Sequence, residues 1–568
     1  MNRRRLPLML GFVVGVMSVV SLLPATASAQ VVERWVARYS GPTGVFPGPA
    51  DDKACCIARD PTSGHVYVTG RSYGGLGYGG PATGDDYATV AYDANGIQLW
   101  VARYDRPTSS GCPPPHWCGG NERPTAIAVD PHSGTVYVTG YSSSGWPYTS
   151  TEYATVAYDA LGNQLWVARY DGRYDGSAHA ATASAIAVDP NSGTVYVTGS
   201  SYGGAATRFD YATVAYSASG DQLWVARYDG PGHTSDRAWA IAVDPNSGAV
   251  YVTGESYPGG YATVAYDAGG NQLWVARYEG PVGIDYVHGI ALDPTSGNVY
   301  VTGQSSGGAA TGYDYATVAY DACGNQLWVA RYDDPSNGHD SASAIALDPA
   351  SGNVYVTGSS YGGAATRYDY ATVAYDACGN QRWVARYDGA GGIDTANAIA
   401  LDPTSGNLYV TGLSDARATG YDYATVAYDA SGRQLWVARH HGAPTSYEAN
   451  AVAVAVGSGD VYVTGYDYGR EGGGTTSYAT VAYSTSEMVD SPEVSRMGEP
   501  QEVRRPRCHA CCSNGSSSSD ETTSETARAI RWCGRMYKRL LKIESRKDAQ
   551  HQVDRDEVLT GEVEQHQP

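Results

Sequence analysis

The chain has 568 residues, among them 70 glycines, 47 tyrosines and only 3 phenylalanines. That length exceeds what one hydrophobic core serves, and so skewed a composition points to one short pattern copied many times. With 58 acidic against 38 basic side chains and a formal charge of −20, a nucleic-acid-binding surface is not expected, whereas soluble behaviour or cation binding is favoured.

Arg3, Arg4 and Arg5 are followed by an apolar run from Leu8 to Leu23, and Ala27-Ser28-Ala29 offers a small-residue cleavage site before Gln30. This predicts a signal peptide over residues 1–29. No later apolar run reaches the ~20 residues of a spanning helix. The processed chain is therefore expected outside the cytoplasm, secreted or at the cell surface, or in the periplasm. Export permits disulfides, and Cys112 and Cys118, which bracket the loop GCPPPHWCG, are the candidate pair. Cys323 and Cys378 sit at the same turn position in successive repeats, too far apart to bridge.

From residue 30 to 484 the chain repeats. WVARY or a variant occurs eight times, from Trp35 to Trp436, and VYVTG or LYVTG eight times, from Val66 to Val461. YATVAY occurs eight times, from Tyr87 to Tyr478, and AIAVDP or AIALDP precedes VYVTG, degraded in the first and last units. Each phrase is short, rich in Val, Ile, Tyr, Thr and Trp, and bounded by the turns DPxSG and DAxGN, which marks it as a strand. Four strands per unit of about 50 to 66 residues match propeller blades. The fold class is all-β: an eight-bladed β-propeller of four-stranded antiparallel blades. A lone WVARY strand (Trp35–Tyr39) opens the repeats, and the last unit ends at Tyr478–Tyr483 without one. The N-terminal strand is therefore predicted to complete the last blade and remove the open edge.

AIAVDP, GNVYVTG, YATVAYD and GNQLWVARY, in fixed order over about residues 31–484, resemble the bacterial SBBP-type β-propeller repeat. The resemblance implies a secreted or surface-attached protein. The family name implies seven blades, whereas this chain carries eight copies.

Antiparallel order puts the near-invariant turns on one face and the loops of variable length on the other, including Arg71–Asp86, Arg106–Pro124, Asp171–Ser184 and Tyr466–Ser477. Variable loops on a rigid scaffold carry recognition, here of a protein, peptide or glycan. The competing reading is drift in unconstrained loops. An acidic residue recurs five positions before the inner-strand Ile, at Asp52, Glu122, Asp236, Asp285, Asp340 and Asp394. Near the channel mouth such carboxylates would bind a hard cation such as calcium, or a basic ligand. Alternatively, each holds its own loop through backbone amides. No cofactor is expected, calcium at these carboxylates being the exception. Asp93, Asp159 and their equivalents in YATVAYD read as turn formers. His179, His233, His288 and His339 read as loop residues without metal spacing.

No Ser-His-Asp set stands out, so no catalytic residue is named. Ala157–Trp166 is similar to the tryptophan-docking motif of eight-bladed quinoprotein dehydrogenases, with the Asp-to-Trp spacing one residue shorter. Adjacent Cys55 and Cys56 resemble the vicinal disulfide of some of those enzymes, although their calcium-ligand set is not identifiable. Three readings follow, in order: a monomeric binding scaffold, a structural extracellular component without a specific ligand, and a quinone-dependent oxidoreductase. Beyond the repeat, residues 485–519 read as a disordered linker. Cys508, Cys511 and Cys512 are incidental there. Ile530, Cys533, Tyr537, Leu540 and Leu541 then follow a helical period flanked by basic residues, predicting a short basic amphipathic helix within the tail.

Overall fold

The computed structural model describes residues 30–42, 51–74, 84–106, 120–143, 150–172, 180–417, 420–441, 448–454, 459–468 and 476–486. The signal peptide, the Cys112–Cys118 loop, His179 and the tail beyond 486 lie outside the described residues.

In the first blade the strands Lys53–Arg59, Val66–Tyr73, Asp85–Tyr92 and Gln98–Tyr104 pair antiparallel in chain order. We call these positions A to D. The same order makes seven sheets from consecutive strands, and the eighth takes Gln30–Tyr39 as its D strand. Trp35 pairs with Ala482 and Tyr39 with Tyr478, as the repeat phase predicts. The A strands of neighbouring blades contact one another all round, the first touching the eighth, so they wall a central channel. Eight blades close the ring, not seven. Among the described residues no helix is long and apolar enough to cross a membrane.

Strands B and C are buried on both faces because each sheet is covered by two neighbours. Val66, Tyr67, Val68, Tyr87 and Val90 are inaccessible, and burying each such aliphatic side chain contributes about 1.5–3 kcal/mol. Polar groups in this dry layer find each other. Thr69 and Thr89 share a hydroxyl hydrogen bond at 3.0 Å, and Tyr87 donates across the blade boundary to the Ala154 carbonyl at 3.2 Å. At the seam Tyr478 donates to the Ala88 carbonyl at 3.2 Å.

On the turn face, the Trp of seven D strands docks on the next blade's DAxGN-type turn, whereas Trp436 faces the seam blade, which has no such turn, and its Nε1 is buried without a partner. Trp100 Nε1 donates to the Ala160 carbonyl at 3.0 Å. Gly162 lies beneath the indole with φ +84°, where a Cβ would stand 2.6 Å from the ring, so only glycine fits the turn and the close approach together. Asp93 forms its turn by accepting from the Asn95 and Ile97 amides, both at 2.9 Å. These bonds, that to Ile97 foremost, hold its carboxyl below the ordinary range.

Candidate functional site

The six recurring acids stand at the start of the A strands, on the variable face, but do not converge at the channel mouth. Each serves a different blade boundary and is at most 4% exposed. Asp52 accepts from the Gly41 amide at 2.7 Å and the Tyr73 amide at 3.2 Å. Asp236 accepts from Gly230 at 2.7 Å and Asp285 from Gly280 at 2.7 Å. Asp340 accepts from Asp334 at 2.9 Å, and Asp394 from Gly389 at 2.9 Å. Tyr73 apart, which ends the B strand of the same blade, these amides belong to the connection arriving from the preceding blade, so the carboxylate holds that connection. Burial raises the carboxyl pKa of Asp52, Asp236, Asp340 and Asp394, and pushes Glu122 to about 8.

What faces the channel is a position the acid pattern hides. Every A strand with described side chains carries a bulge just after its buried Ala, Pro or Val, as between Ala238 and Ala240. The extra residue is Cys55, Thr125, Ser184, Trp239, His288, Ser343 or Asn397 in turn. A bulge re-aims its side chain and disrupts pairing locally, and these side chains remain partly or fully exposed in the channel wall. The flanking residues repeat from blade to blade; these do not. His288 therefore belongs to the inner strand and not to a loop, and the protein around it holds its pKa below the ordinary imidazole value. His233 and His339 do lie in exposed loops. The signal was present in sequence, since x is the unrepeated position of the A-x-A-I-A phrase.

Cys55 directs its Sγ to the carbonyls of Thr69 and Pro124 at 3.5 and 3.4 Å, whereas Cys56 directs its own to Thr125 at 3.1 Å. The adjacent Cys55 thiol first, and burial second, hold the Cys56 thiol well above its ordinary pKa, so it is not an activated nucleophile.

Around the mouth the two sides differ in chemistry. Near the seam Arg71 pairs with Asp51 and, at 3.2 Å, with Asp85. Arg123 also reaches Asp85 at 3.2 Å, and Lys53 lies 4.7 Å over the Tyr466 ring. These charges satisfy one another. Across blades four to six runs an aromatic arc. Trp239 is 42% and Tyr257 47% exposed, and Glu255 lies against the indole of Trp239. The Tyr286 hydroxyl adjoins that of Tyr257 and is the main cause of its raised pKa. Tyr313 follows at 6.1 Å from Tyr286, and His339 at 5.5 Å from Tyr313. Val282 and Ile284, 52% and 43% exposed, flank the arc.

The family model described as SBBP, beta-propeller repeat, matches residues 273–308, which run from the fourth blade's D strand to the fifth blade's B strand. No curated protein matches the chain. Among solved structures, the periplasmic gluconolactonase PpgL of Pseudomonas aeruginosa is 14% identical over 60% of this chain and 87% of that one, with a TM-score of 0.38. The polysaccharide lyase Uly1 is 12% identical over 66% and 94%, also at 0.38. At these TM-scores the likeness assigns neither activity nor substrate.

Proposed function

We propose that this chain, a β-propeller built of SBBP-type repeats, is exported and works as a binding module whose recognition surface is the variable face at the channel mouth. One observation carries the reading: the positions that differ between blades meet on a single surface, while the repeated positions are consumed in packing and turns. Trp239, Tyr257 and His339, exposed, with the half-buried Tyr286 and Tyr313 between them form an aromatic arc with polar tips. Tyr and Trp supply large contact area at low entropic cost, which suits a peptide, a protein loop or the apolar face of a sugar ring. The closing strand gives every blade its fourth strand, leaving only short D-strand edges at the rim, which supports a monomer.

The test is a screen of glycan and peptide arrays with residues 30–486, followed by the Trp239→Ala and Tyr286→Ala variants. Truncating a central aromatic anchor costs at least ~1–2 kcal/mol, roughly tenfold or more in affinity. Each variant should lose that much on the same ligand while keeping the wild-type unfolding midpoint. Equal binding by both variants would move recognition away from the arc. Silence across the arrays would favour a purely structural role outside the cell.

A further inference from the structure

We propose that the protein binds two hard divalent cations of the calcium type between its blades, one held by Asp369, Asp388 and Asp394 and the other by Asp86, Asp105 and Glu122. In each group one carboxylate oxygen per residue lies within 4.8 Å of the other two. Ca²⁺–oxygen distances of about 2.3–2.6 Å bridge such a span, and the donors are all carboxylates, which suits calcium better than zinc. Both groups have the same construction. The first acid stands at the end of a C strand where YATVAY begins, the second directly follows the D strand, and the third opens the next blade's A strand.

A cluster of acids alone would mean little, but buried oxygens here want a partner. Asp369 is 4% exposed. Its Oδ2 accepts from Arg386 at 2.6 Å, whereas its Oδ1 is buried without any hydrogen bond. In the other group Glu122 is inaccessible; its Oε1 accepts from Ser142 at 3.2 Å, and its Oε2 is buried without a partner. Buried carboxylate oxygens are normally satisfied by a hydrogen bond or a cation. The guanidiniums nearby are already engaged. Arg386 also pairs with Asp334 at 2.6 Å, Arg103 holds Asp86 Oδ2 at 2.7 Å, and Arg106 reaches Glu152 at 3.1 Å. Asp388 and Asp105 are exposed, and an open cleft lined by Tyr104, Asp105, Gln164, Val167 and Arg169 gives entry.

The same three positions are acidic at two more boundaries, Asp210, Asp229, Asp236 and Asp314, Asp333, Asp340, without converging as closely. At the first of these His233 Nδ1 engages Asp229 at 2.6 Å.

These sites are separate from the aromatic arc, so either idea can fail alone. The experiment is calorimetric titration of CaCl₂ into the EDTA-stripped exported chain, repeated with Asp388→Asn, Asp105→Asn and the double variant. The wild type should bind two calcium ions, each single variant one and the double variant none, with MgCl₂ competing weakly. Calcium should raise the unfolding midpoint of the wild type, and less so that of each variant. Both substituted residues are exposed, and circular dichroism in EDTA checks that the variants keep the fold. Absence of saturable calcium binding by the wild type overturns the proposal, as does unchanged stoichiometry in the folded double variant.

Discussion

At the scale of single residues, the inter-blade contacts rest on a few close approaches that leave no room for change. Gly162 has φ +84° and lies under the Trp100 ring, whereas Gly269, at the neighbouring turn position of another blade, has ordinary φ and its nearest atoms 3.3 and 3.4 Å from a Cβ. Gly162→Ala should therefore destabilise the protein by ~1–3 kcal/mol, and Gly269→Ala by far less. Urea unfolding of the two variants checks this, and equal midpoints would show that the indole docking carries little. The Trp and its turn stood out in sequence as a docking-like motif, because glycine, turn aspartate and tryptophan keep fixed spacing. The role of His288 was marked only as the unrepeated x of A-x-A-I-A; that a bulge there turns the side chain inward follows from the strand pairing and not from the repeat.

At the scale of the strand, six of the eight A strands begin at a buried acid, and Glu122 is the case where this burial is most costly. Its pKa rises from an ordinary 4.5 to about 8 on folding, so the folded state keeps the proton better than the unfolded one. Between those values stability falls as pH rises. Asp105, raised to about 6, acts in the same direction at lower pH. In EDTA the wild type should lose thermal stability from about pH 5 to 8, and Glu122→Gln should flatten that slope. Parallel slopes in thermal scans would mean that Glu122 stays ionised throughout. The recurring acid was legible as a pattern, but its partner was not, since the Gly230 amide that meets Asp236 at 2.7 Å belongs to a connection from another blade.

At the scale of the whole molecule, closure depends on one strand. Gln30–Tyr39 pairs along Thr476–Ser486, and it adds Arg34 to Asp460 and Arg38 to Asp467, both at 2.7 Å. In the eighth blade Asp467 stands where the other blades place a B-strand serine such as Ser72, so the seam has its own ion pair. Deleting residues 31–39 should expose the C strand of the last blade, lower the melting temperature by several degrees and promote association through the open edge. Light scattering and calorimetry on the truncated chain test this. Unchanged melting and a monomeric truncation product would show that the ring holds without its closing strand.

The repeat alone determined the strand count, the antiparallel order, the turns and the closing strand. These follow from local patterning, in which short apolar runs and turn residues are copied with fixed spacing, and from the need to give every blade its fourth strand. The tertiary structure decided which side chains meet across blades: that the acids are buried against backbone amides, that two triplets of carboxylates converge, and that a bulge turns Trp239 and His288 toward the channel. Those contacts form where one blade meets the next, whether the residues are near or far in sequence, and their geometry is set by blade twist and stacking, which no single repeat encodes.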